Sequence, residues 1–238
     1  MNTNILNESK SKSNADNFLA KVYMWMFSAL AITGAAAWIF ATNESLTSLV
    51  YYNDPDTGEI GGYTLIGWIS AFAPLAFVLI MGIGYRKLSK SAMQILFIIF
   101  SAVMGMGLSS IFFMYSIGSI GVCFLVTAGT FLVMSIIGYT TKTDLTKIGS
   151  LLMMALIGII IAMLANWFIQ SAMMDYIISI IGVFIFVGLI AYDTQKLKEI
   201  GMSAEAGGKM EIMGAMSLYL DFVNLFLFIL RLFGGNSD

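Results

Sequence analysis

Hydrophobic residues fall into seven long runs separated by polar breaks, at about 18–42, 64–85, 91–115, 120–138, 148–168, 174–192 and 212–233. Each run meets the ~18 apolar residues that a helix needs to cross a hydrocarbon core of about 30 Å. The pattern predicts an all-α integral membrane protein with seven transmembrane helices. They form one domain over 18–233, preceded by a polar, disordered N-terminus at 1–17 and followed by a short tail at 234–238. No removable signal peptide is read, so the first run serves as the insertion signal, with Lys21 snorkelling to the headgroups. Pro74 is expected to break the second run. In the third, Ser101, Gly105 and Ser109 recur every four residues, a small-residue stripe that lets a neighbouring helix approach.

Two breaks are long. The stretch 43–63 carries turn chemistry at Asn53-Asp54-Pro55-Asp56-Thr57-Gly58. Its acids, Glu44, Asp54, Asp56 and Glu59, read as a solvated loop. Residues 193–211 form the last charged segment, with Gly201 and Gly207-Gly208 as helix stops.

The seventh run departs from the pattern, because Asp221 lies near its middle. A carboxylate at the centre of a spanning helix costs roughly 2.5–3.5 kcal/mol on insertion scales. Ser217, Asp221 and Asn224 are spaced i, i+4, i+7 and share one helical face, which must turn away from lipid. That face either fastens helices through buried hydrogen bonds or carries chemistry.

Composition supports the membrane class: of 238 residues 59% are hydrophobic and 11% charged, against about 25% charged in soluble domains. The net charge of -2 gives no sign of nucleic-acid binding. Histidine is absent, which removes histidine triads, HExxH zinc sites and histidine pH switches. The lone cysteine, Cys123, excludes an intrachain disulfide. No cofactor is expected.

Eleven of the twelve cations lie at the N-terminus or in alternate breaks; Arg231 is the exception. The positive-inside rule then sets the N-terminus in the cytoplasm and the C-terminus outside, in a multi-pass cell-membrane protein. Asp193 falls at the cytoplasmic end of the sixth run, and Asp221 about 13 Å along the seventh. If the two meet, desolvation and repulsion oppose full ionisation, so the pair would share a proton and titrate as one unit. Fully ionised, it is also a weak calcium site, completed by Asn224, Ser217, Thr194, carbonyls or water. Arg86, at the end of the second run, is a candidate counter-ion. Asp193 reads equally as the start of a solvated helix end, and Arg86 as a boundary charge.

Leu218-Tyr219-Leu220-Asp221-Phe222-Val223-Asn224-Leu225-Phe226, followed by Ile229-Leu230-Arg231, resembles the signature of the transmembrane Bax-inhibitor-motif family. Ala191-Tyr192-Asp193-Thr194-Gln195 is similar to that family's sixth-span motif, and Phe18-Leu19-Ala20-Lys21-Val22-Tyr23 to the opening of its first span. The resemblance covers nearly the whole chain. It implies six helices surrounding a central seventh, and a pH-sensitive calcium leak sensed by a di-aspartyl pair. By motif the pair is Asp193 and Asp221, and Arg86 corresponds to the second-span arginine that engages it. Calcium and protons are the implied partners, besides lipid. Two departures stand out: the charged C-terminal tail of eukaryotic members is missing, and the second run has no internal acid.

Other functions were weighed. Two intramembrane aspartates suggest an aspartyl protease, but its Gly-x-Gly-Asp motif is absent, and no enzyme is expected. A retinal protein needs a lysine deep in a span, and none lies deep enough. The alternative from another class is a non-conducting regulator that binds another membrane protein, such as a membrane-bound protease.

Overall fold

The computed structural model describes residues 2–54, 60–203 and 206–235. The expected turn at 55–58, the acids Asp56 and Glu59, and residues 236–238 of the tail lie outside them. Seven helices are long and apolar enough to cross a membrane: α1 (Asn2–Thr42), α3 (Leu65–Gly84), α4 (Lys90–Leu108) with the short α5 (Ile111–Met114), α6 (Ile117–Thr140), α7 (Thr146–Ile169), α8 (Ala172–Met202) and α9 (Lys209–Phe233). Their number and order match the seven runs, because in lipid only a helix satisfies every backbone group of a lone apolar segment. The seventh span, α9, is the most buried: 72% of its most apolar stretch is covered, against 11–39% in the others.

Four local features differ from the sequence expectation. Helix α1 starts at Asn2, so the polar lead read as disordered is helical. Ala15 of this lead is buried, as are Phe18 and Leu19 just after it, and Gly201 leaves room for Ala15 against its backbone. Pro74 lies within α3 without ending it. Proline removes only the bond to the Ser70 carbonyl, a loss that membrane helices tolerate when neighbours cover the freed group. The sixth helix runs past Asp193 to Met202, since Thr194, Gln195 and Leu197 are buried and extend its inward face. The longest break is not wholly irregular: it holds helix α2 (Glu44–Val50), capped by Asn43, and an antiparallel hairpin of β1 (Tyr51–Asn53) and β2 (Ile60–Tyr63).

The chain divides into two compact units. One comprises the described residues of 21–115 and 207–216. Here the small-residue stripe of α4 meets α1: a side chain on Gly105 would strike the Thr33 carbonyl, and Thr33 Oγ1 donates to the Ser101 carbonyl at 2.9 Å. Tyr51 fixes the hairpin, its hydroxyl 3.1 Å from that of Ser109 and its ring 5.7 Å from that of Phe113. Burial pushes the Tyr51 phenol above its ordinary pKa.

The other unit comprises the described residues of 2–20, 116–206 and 217–235 and holds both candidate acids. In it α8 packs along α6 and α7. Two glycines set the spacing. Any side chain on Gly138 of α6 would meet the backbone of Ala191, and one on Gly149 of α7 would meet the ring of Tyr192. Both contacts fall on the two residues just before Asp193, so close helix approach holds that part of α8 in place.

Candidate functional site: a carboxyl pair between two helices

The sixth-span motif spends each residue differently. Tyr192 lies over Gly149. Gln195 clamps the backbone of the α6–α7 loop, its Oε1 accepting from Leu145 N and its Nε2 donating to the Thr143 carbonyl, both at 2.8 Å. Thr194 is fully buried, and its hydroxyl has no hydrogen-bond partner among the described residues. Asp193 points toward α9.

There it meets the face expected from the i, i+4 spacing. The Ser217 hydroxyl donates to Asp193 Oδ2. The Asp221 carboxyl lies near enough to that of Asp193 for the two charges to act on each other. Asp221 is 6% exposed and is the middle residue of the 25-residue α9. Its Oδ2 is buried with no donor among the described residues. Two unprotonated carboxylates can only accept, so a hydrogen bond between them requires a proton. The nearest cation acting on Asp193 is Lys196, on the same helix.

Toward the C-terminal end of α9 the pair is followed by rings. Phe222 packs edge-on against Phe124 and Phe131, at centroid distances of 5.4 and 5.6 Å, and Phe226 lies 6.2 Å from Phe124. Ser135, one turn from Phe131, is also buried without a partner among the described residues.

The other candidates are placed less tightly. Asn224 is half-buried and donates to the Leu220 carbonyl of its own helix at 2.8 Å. Arg86 is exposed in the turn after α3 and belongs to the other unit. No group of three or more Cys, Asp or Glu residues converges among the described residues.

One charged cluster was not foreseen. Glu211, in the first turn of α9, is buried, and its carboxylate takes Lys21 of α1 at 3.1 Å and Lys90 of α4 at 3.3 Å. Lys21 therefore serves an ion pair as well as the boundary. The signal was an acid in a helix's first turn, where the dipole favours it, but nothing in the spacing linked it to lysines so distant in the chain.

Residues 15–238 match the family described as "Inhibitor of apoptosis-promoting Bax1". The chain is 42% identical over 229 residues to "Inner membrane protein YbhL" of Escherichia coli (strain K12), covering 94% of each chain. A protein of Borreliella burgdorferi is 40% identical with 94% of each chain covered, and one of Deinococcus radiodurans 36% identical, covering 98% of this chain and 95% of its own. The chain belongs to the Bax inhibitor family, as a multi-pass protein of the inner membrane.

Proposed function

We propose that this protein is a pH-sensitive calcium leak channel gated by Asp193 and Asp221. What supports the reading is the nearness of the two carboxyls at the middle of the most buried span, where Asp221 Oδ2 has no donor among the described residues. A shared proton supplies that donor and ties α8 to α9. Its loss leaves two like charges side by side in a poorly solvated place, and repulsion drives the helices apart. A cation path then opens past the pair, through the ring cluster of Phe124, Phe131, Phe222 and Phe226.

Calcium suits the ionised pair because two carboxylates offset its charge. Its full shell takes 6–8 oxygens; Ser217, Thr194, backbone carbonyls and water complete it, so binding is weak and transit possible. The distribution of lysines orients the N-terminus to the cytoplasm, and the C-terminus to the outside.

The test is calcium flux through the purified chain in liposomes. Flux should rise as the pH is raised and the shared proton is lost. Asp221→Asn and Asp193→Asn should each flatten that profile, and the double variant should add little, because the two act as one titrating unit. A wild-type profile in either single variant would falsify the gate. Absence of flux at every pH would favour the non-conducting regulator.

A further inference from the structure

We propose that a basic pocket where the ends of α6 and α8 meet the start of α1 binds the phosphate headgroup of an anionic phospholipid. The pocket encloses about 500 Å³ and is lined by Ser11, Lys12, Tyr139, Thr140, Lys198 and Met202. It lies apart from the carboxyl pair and does not depend on ion conduction.

Lys198 is held in place: its Nζ donates to the Tyr139 carbonyl at 2.7 Å and sits 4.9 Å from the centre of that ring. An ammonium has three donors, so protons remain for a ligand. Lys12 is exposed and has no ion-pair partner among the described residues. The acid nearby, Asp16, accepts the Tyr139 hydroxyl at 2.5 Å. It is therefore engaged by the tyrosine, and the two lysines leave the pocket net positive.

Position selects a lipid over a free anion. Tyr139 is the penultimate residue of α6, and Lys198 lies in the last turns of α8. Tyrosine and lysine at span ends sit at headgroup level. Met202 adds an apolar wall that is 42% exposed, a surface for the start of an acyl chain. The volume falls within the about 300–1,000 Å³ of small-molecule sites, which exceeds the need of one phosphate ion and suits a glycerophosphate. Basic pockets between spans are a recurrent form of anionic-lipid recognition.

The experiment titrates the delipidated full chain in detergent with phosphatidylglycerol or phosphatidylcholine, reading bound lipid by native mass spectrometry. Phosphatidylglycerol should bind more tightly. Lys12→Gln should weaken it about fivefold and the added Lys198→Gln about fivefold again, as expected for single juxtamembrane lysines. Lys198→Arg should retain binding, which separates loss of charge from loss of fold. Lys142→Gln, exposed and outside the pocket, should change nothing. Equal affinity for the two lipids, an unweakened double variant or an equal loss in Lys142→Gln would each overturn the proposal. Displacement of the lipid by millimolar inorganic phosphate would overturn it too, by making the site one for free anions.

Discussion

Ser217 is the residue whose removal isolates the geometry of the pair. It gives Asp193 Oδ2 its hydrogen bond across the α8–α9 contact. Ser217→Ala leaves that oxygen short of a donor, and hydrogen bonds to charged groups are worth about 1.5–3 kcal/mol. The expected loss of that size should appear in thermal unfolding of the purified chain. In the Asp193→Asn background the same substitution should cost less, because the acceptor is no longer a carboxylate. Equal losses in both backgrounds would mean that the hydroxyl serves α9 alone. The i, i+4 placement of Ser217 and Asp221 was legible from spacing. That Asp193 would face them was implied by the family resemblance but not by spacing, since the sixth hydrophobic run stops just before it and a solvated helix end was equally consistent.

Between elements, the decisive contacts are made where side chains are missing or charges are hidden. Gly138→Ala places a methyl against the backbone of Ala191, which cannot rotate aside. Overpacking of this kind costs about 1–3 kcal/mol, and the unfolding midpoint should fall accordingly. Gly118→Ala meets nothing within 4 Å; it should leave stability unchanged or raise it slightly through helix propensity. The Glu211 cluster predicts non-additivity. Lys21→Met or Lys90→Met alone leaves one partner on the buried carboxylate, and each lysine is about half exposed, so each loss should stay near or below about 1 kcal/mol. Together they leave a buried, unpaired charge, a defect worth about 3–5 kcal/mol. A double variant that costs only the sum of its parts would show that water reaches Glu211.

For the molecule as a whole, orientation is the prediction that matters. A tag at the N-terminus or in the loop between α6 and α7 should be protected from outside reagents in intact cells, and a C-terminal tag should be accessible. An inaccessible C-terminus would reverse the side from which Asp221 is reached. The number of spans, their order and their approximate limits were decided by the sequence itself. Runs of about twenty apolar residues have one stable form in lipid, and that form is local. The motifs around Asp193 and Asp221 were equally local, and so was the family they indicate. Other features depended on partners far along the chain: the extension of α8 beyond Asp193, the helical start of α1, the clamp of Gln195 on the α6–α7 loop and the pairing of Glu211 with Lys21 and Lys90. Each joins polar or small residues separated by dozens of positions, for which periodicity carries no signal. Only tertiary structure decided that Asp193 of α8 is turned toward α9, where the Ser217 hydroxyl donates to it, because the depth of a residue on one helix becomes meaningful only beside the depth of another.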